Sequence, residues 1–330
     1  MPNLDVIGLG VLRSDHIYSI EKGPVHFEQL ARLTAVTSGG AAANTIFGLT
    51  KLGLKCGIIG AVGNDPPGRD LVAELMTAGI DTSNVATINT SPTDSAIFMN
   101  GDDGARVNYL CHGAGMSWGI DDAMLSALKQ TAIVHIGGLT GLEQLNAIDN
   151  VLDLLPPAVR ISLSISDSEA VMGFKTFEPL ISRASIIFAS KTAIESLTGK
   201  NYQRSIRMCR KIGAQTMAIF LSCGEENKKI RKKGKAASIT TYICNHEYEC
   251  MIESAIRKWP NVVEVTGAQD AFAAGFLYGL FKGKPIDECG FLGDILAQAC
   301  LKKPGARDSL PDAQELSARY FQIHREELMI

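Results

Sequence analysis

No apolar run in this 330-residue chain approaches the roughly 18 residues needed to cross a bilayer, so no membrane span is expected. The start, Met1-Pro2-Asn3-Leu4-Asp5, lacks the basic segment of a signal peptide, and a cytoplasmic location follows as the expectation. Charge is also scarce in bulk. A net charge of −3 gives no general attraction to nucleic acid or to an anionic membrane, so neither is expected as a partner. Eight cysteines in 330 residues do not make a disulfide scaffold, and none of them forms the C-x-x-C pair of a metal site. Cys56, Cys209, Cys289 and Cys300 sit in apolar or helical surroundings and read as small core hydrophobes. Cys244, His246 and Cys250 form the one grouping that hints at a metal, but a fourth ligand is missing. Long linkers, low-complexity segments and internal repeats are absent too.

What is present is core: 46% hydrophobic against 20% charged residues, enough for a large α/β domain with an appendage. Asp5 to Gly10 reads as a first strand, and after residue 38 strands and helices alternate, as in a mostly parallel sheet covered on both faces. Strands are expected over 55–63, 132–138, 159–165, 185–189 and 217–221. Helices are expected to about 52 from 38, and over 69–78, 124–130, 142–155, 177–184 and 203–212. Two stretches, 11–37 and 93–112, break this rhythm and look like hairpins.

Two segments carry the chemistry. Val262 to Val265 is a short β-branched run that breaks at Thr266-Gly267-Ala268. An almost wholly apolar helix follows, with Asp270 alone in its first turn. A helix apolar all round is buried, and its N-terminus presents unpaired N–H groups and about half a positive charge. A phosphate suits such a place, and Asp270 beside it is positioned to take a proton from a nucleophile attacking that phosphate. Asp270 as a simple helix cap is the alternative. Upstream, Ser38-Gly39-Gly40-Ala41-Ala42-Ala43-Asn44-Thr45 opens a helix whose small residues let a ligand approach the backbone, with Asn44 offering an amide. Tight packing through small residues explains that segment equally well.

Taken together, these segments resemble the ribokinase (pfkB-type) family of carbohydrate and nucleoside kinases. The N-terminal pattern is matched through Gly39, Gly40, Asn44, Gly53, Gly57, Gly60 and Gly63. The C-terminal pattern is matched around Thr266-Gly267-Ala268 and Asp270 to Gly275. Gly8-Leu9-Gly10 before Asp15, and Gly305-Ala306-Arg307 before Ser309, extend it over nearly the whole chain. The resemblance implies a ribokinase-like three-layer α/β sandwich with a mostly parallel central sheet. Residues 1–10, 38–92 and 113–330 would form the core, and 11–37 and 93–112 a small β lid that pairs some members as homodimers. It implies ATP-dependent phosphotransfer to a hydroxyl of a sugar or nucleoside, with Mg2+ and, in some members, K+. Asp270 would be the base, and the amides of Gly267, Ala268, Gln269 and Asp270 an anion hole. Asp15, Gly39, Gly40 and Asn44 would hold the acceptor. Ser222, Gly224, Asp294 and Ala297 would lie along the nucleotide, and Glu264 and Ser309 near a monovalent cation.

Several positions depart from the family pattern. Gln269 stands where the family has glycine, adding a polar arm where phosphate must approach the backbone. Glu264 replaces an aspartate. The family's Asn-x-x-Glu, which organises magnesium, reads Ser190-Lys191-Thr192-Ala193, and Glu195 would face another side of the helix. These changes keep a second reading open, a ribokinase-fold protein that binds a ligand without efficient transfer. A nicotinamide dehydrogenase is discounted, because Arg13 stands where the third fingerprint glycine belongs. The basic run Lys228 to Lys235 reads as a solvated connection, and His135 and Trp118 as packing residues.

Overall fold

The computed structural model describes residues 4–21, 28–102, 106–116, 118–139, 141–223, 238–255, 267–325 and 327–328. The expected strand over 262–265, Gly224, Glu264 and the basic run at 228–235 lie outside these residues. Short β-branched runs ended by glycine or polar turns give β1 (Val6–Leu9), β4 (Cys56–Gly63), β5 (Asp81–Ile88), β8 (Ile133–Ile136), β9 (Arg160–Ile165), β10 (Ile186–Ser190), β11 (Thr216–Cys223), β12 (Ser238–Cys244) and β13 (Glu249–Ala255). They form one nine-stranded sheet in the order β13-β12-β11-β10-β9-β8-β1-β4-β5. All pairings from β5 to β11 are parallel, and β12 and β13 add an antiparallel hairpin at one edge.

Successive side chains of a strand point to opposite faces, and β10 shows how this divides the core. Ile186 and Phe188 pack with α1 (Ala41–Lys51), α2 (Pro66–Thr77), α9 (Ala268–Phe281), α10 (Ile286–Cys300) and α11 (Ala313–His324). Ile187 and Ala189 pack with α3 (Asp122–Leu128), α4 (Leu142–Leu152), α5 (Asp167–Ala170), α6 (Phe174–Arg183), α7 (Lys191–Thr198) and α8 (Tyr202–Ile212). The result is a three-layer α/β sandwich. Within it α9 is buried nearly all round, its Phe272 and Phe276 meeting Phe220 and Phe188 edge to face at 4.9 and 5.5 Å.

A second sheet, in the order β3-β2-β6-β7, stands apart from the first. Its strands are β2 (Arg13–Ile20), β3 (Arg32–Gly39), β6 (Asp94–Gly101) and β7 (Arg106–Cys111). Two antiparallel pairs, β2–β3 and β6–β7, are joined by a parallel β2–β6 contact. Ile17, Ala96 and Phe98 give it a small apolar cluster of its own.

Three differences from the sequence reading have plain causes. Helix α2 starts at Pro66, not Arg69, because Asp65 caps it through Gly68 N at 2.9 Å and prolines at the first helical positions forfeit no hydrogen bond. Strand β5 and the β12–β13 hairpin lie at the sheet's edges, where half-exposed, polar-rich strands lack a continuous apolar run.

His135, on β8, is wholly buried; its Nδ1 meets Ser162 Oγ at 2.9 Å and its Nε2 has no partner. Burial pulls its pKa down to about 3. The native state therefore holds it neutral, while the unfolded chain protonates it near 6.5. Its contribution to stability is complete above the unfolded value and is lost as pH falls from there toward 3. By linkage His135 removes about 2 kcal/mol between roughly pH 7 and pH 5. In His135→Leu, urea unfolding at those two values should show a pH difference smaller than the wild type's by that amount. An unchanged difference would contradict the assignment.

Candidate active site

The carboxyl ends of β1, β8 and β9 open into one cleft of about 650 Å³, walled on the far side by β2, β6 and β7 of the small sheet. In open α/β sheets ligands bind outside the carboxyl ends of the strands, and this volume suits a small molecule. The cleft is lined by Gly40, Asn44, Gly267, Gln269 and Asp270 among the residues singled out from sequence. Helix α1 and helix α9, more than two hundred residues apart in sequence, bring them there.

The two glycines do different work. Gly40 caps α1 at φ 108°, and a Cβ there would lie 2.1 Å from the Val11 carbonyl oxygen. Gly39 leaves room for the Asp15 carboxylate, which a Cβ would meet within 2.5 Å. Asp15 is buried behind the cleft wall, and Arg13 Nε donates to its Oδ1 at 2.7 Å. The cleft is lined by Arg13, not Asp15 or Gly39. Although burial alone would lower the Arg13 guanidinium's pKa, the adjacent Asp15 holds it above its ordinary value.

Gly267 starts α9 in the left-handed region at φ 80°, and no side chain caps that helix. Its first amides therefore face the cleft end without a side-chain partner. Asp270 follows one turn in, held by Asn44 Nδ2, which donates to Oδ2 at 2.9 Å, and through its own carbonyl by Thr45 Oγ1 at 3.2 Å. Burial pushes the Asp270 carboxyl up to about 6; the Asn44 bond and the charges of Arg13 and Arg307 pull the other way, and Asp15 adds to the rise. A half-buried carboxylate with that pKa suits a general base working near neutrality. Gln269 lines the cleft too, and its Nε2 donates to the Phe188 carbonyl oxygen at 3.4 Å.

Residues to which the sequence reading gave no role in the site complete it. Arg307 is buried, and its Nε donates to Asn44 Oδ1 at 3.0 Å. Glu169 accepts from Leu139 N at 2.6 Å and from Ser166 N and Oγ, and burial raises its pKa. Asp94 accepts from Gly113 N and Gly115 N, with burial again raising it. A serine three residues ahead of a glutamate is a capping-box pattern, so Ser166 and Glu169 were legible. Arg307's target lies 263 residues away and has no local signature.

At the family's magnesium position, Ser190 caps α7 through Ala193 N at 2.8 Å, and its hydroxyl donates to Asp167 Oδ1 at 2.8 Å. Glu195 is occupied elsewhere, accepting from Tyr202 N. The structure does not bring Asp294 or Ala297 to the cleft. Ala297 is fully buried in the core, and Asp294 accepts from Gln298 at 2.6 Å. Ser309 Oγ donates to the Cys300 carbonyl at 3.3 Å. Among the described residues no three His, Cys, Asp or Glu side chains converge on a common point, and no helix is long and apolar enough to cross a membrane.

Comparison with known proteins is consistent across sequence and structure. An uncharacterized sugar kinase of Archaeoglobus fulgidus is 29% identical over 267 residues, covering 80% of this chain and 98% of the relative. A ribokinase of Arabidopsis thaliana is 26% identical, covering 94% of this chain and 79% of that protein. Among solved structures, Arabidopsis thaliana ribokinase complexed with ribose and ATP superposes with a TM-score of 0.75 at 22% identity, covering 95% of this chain and 97% of that one. Burkholderia thailandensis nucleoside kinase in complex with inosine gives 0.75 at 15%, covering 98% of this chain and all of the other. These likenesses establish a ribokinase fold. Residues 27–313 match the pfkB family carbohydrate kinases, and the chain belongs to that family.

Proposed function

We propose that this protein transfers the γ-phosphoryl group of ATP to a hydroxyl of a sugar or nucleoside, with Asp270 as the base. The observation that carries the reading is the Asn44–Asp270 pair, set in a cleft beside the side-chain-uncapped start of α9. The acceptor oxygen bonds to the γ-phosphorus, the bond from that phosphorus to the β-bridging oxygen breaks, ADP leaves, and the hydroxyl proton passes to Asp270. The amides of Gly267, Ala268, Gln269 and Asp270 meet charge on the transferring group. Asn44, Gly40 and Arg13 face the acceptor, with Asp15 fixing Arg13 from behind. The small sheet of β2, β3, β6 and β7 acts as a lid that excludes water. Leu33 and Val36, exposed on β3, suit pairing of two lids in a homodimer.

Relatives bind ATP, and a protein from E. coli assigned to ribokinase II was solved with ATP and Mg2+. The residues here fit a hydrated Mg2+. Asp167 offers carboxylate oxygen in the cleft lining, held by the Ser190 hydroxyl, and Ser164, buried in that lining, has an Oγ without a partner. Bound with ATP, the ion would neutralise phosphate charge. Asp167→Asn is expected to raise the Mg2+ concentration for half-maximal rate about tenfold at fixed ATP; an unaltered requirement would remove Asp167 from this role.

Binding without transfer is the second reading, motivated by Ala193 and Gln269. The contact that ties the Gln269 amide to the Phe188 carbonyl and the carboxylate of Asp167 both weigh against it. Radiolabelled ATP offered with a panel of sugars, sugar acids and nucleosides separates the two. Transfer predicts a labelled phosphate ester with matching ADP. Thermal stabilisation by an acceptor with no ester from any of them would support binding alone.

A further inference from the structure

Arg307 stands outside the proposed chemistry yet touches it. Its side chain is 3% exposed and is held at three points: Nε on Asn44 Oδ1 at 3.0 Å, Nη1 on Glu74 Oε1 at 3.1 Å, and Nη2 on the Gly39 carbonyl at 3.3 Å. The guanidinium also lies 5.4 Å from the centre of the Phe47 ring. We infer that Arg307 is a positioning residue, fixing which end of the Asn44 amide meets the carboxylate of Asp270. The inference rests on the reading of Asp270 as the base.

An asparagine amide has nearly the same shape in its two orientations but opposite polarity: one end accepts, the other donates. Against Asp270 only the donating end is favourable. Nothing in Asn44 itself enforces that choice. Arginine has five donors and no acceptor, so it tolerates only the oxygen end of the amide. With Oδ1 occupied by Arg307, Nδ2 must face Asp270 Oδ2, where it lies at 2.9 Å. Glu74, on α2, and the Gly39 carbonyl hold the fork in place. A lysine keeps the charge but not this planar, three-way geometry.

The other charged groups facing Asp270 are Arg13 and Asp15 from β2 and Glu169 from α5. Removing Arg307 leaves them in place, frees the amide to turn, and deletes one positive charge. Both effects favour the protonated carboxyl.

Carbon-13 NMR of aspartate-labelled protein tests this without any substrate, the Asp270 signal being the one missing from Asp270→Asn. In Arg307→Met the Asp270 pKa should rise by about one unit or more, and the acidic limb of the transfer rate should move up with it. A variant merely less stable, with Asp270 titrating as in the wild type, would overturn the inference. Should Arg307→Met fail to fold, Arg307→Lys should show a smaller rise in the same direction, and no rise there is equally fatal. Transfer that survives in Asp270→Asn would instead refute the base, while leaving this titration result to stand on its own.

Discussion

Asp270→Asn should lower kcat by about 10²–10⁴-fold while leaving the protein folded. Asparagine fills the same volume beside Asn44 and at the same turn of α9, so acceptor binding has little reason to change. What it removes is a group able to take the hydroxyl proton as the phosphorus–oxygen bond forms. The α9 amides and the positioning of the two substrates remain, so a residual rate is expected. The loss should therefore fall on kcat and far less on KM, the pattern of an interaction made in the transition state. Steady-state kinetics with whichever acceptor the panel identifies is the measurement, beside a thermal melt. A variant within a few-fold of wild-type kcat would mean that the proton goes elsewhere.

The second large effect is expected at Gly267. Its φ of 80° is in the left-handed region, and a Cβ there would lie 2.3 Å from Ala306 Cβ and 2.9 Å from Ala306 Cα. Alanine pays about 1–2 kcal/mol for that conformation before any clash is counted. The overlap then forces either the start of α9 or the 305–307 segment to move. The same segment carries Arg307, so a shift on either side disturbs the aligned amides or the Asn44–Asp270 pair. A displacement near 1 Å can cost about 10²-fold in rate. Gly267→Ala should accordingly show a lower Tm and a kcat reduced about a hundredfold, read by calorimetry and kinetics on the same preparation. Wild-type kcat in a folded Gly267→Ala protein would show that the geometry of this turn does not matter to transfer.

Much of the frame was legible because burial leaves a periodic mark. Strand β4, buried at every residue, and helix α9, apolar nearly all round, announce themselves in sequence. Edge strand β5 and the β12–β13 hairpin mix polar and apolar residues and leave no such mark. At the site, Asp270 and Asn44 were visible because each is a polar residue in a run of small or apolar ones. Asp15 was visible only through its place after Gly8-Leu9-Gly10, and sequence could not tell that its carboxylate would be engaged by Arg13 behind the wall. Nor could it find Asp167 beside Ser190, since Asp167 opens α5 after β9, Ser190 ends β10, and the two share no spacing rule. Gln269 illustrates the reverse. Its extra arm looked like an obstacle, and only the position of the Phe188 carbonyl shows where it goes.

The most direct test of the account is the pH dependence of kcat/KM for transfer. With its carboxyl near 6, Asp270 is protonated and idle on the acid side, and the rate should climb about tenfold per pH unit below that value and level off above it. The residual rate of Asp270→Asn should lack this rise. A wild-type profile that stays flat across that range, or a variant that keeps the same rise, would contradict the assignment of Asp270 as the proton acceptor.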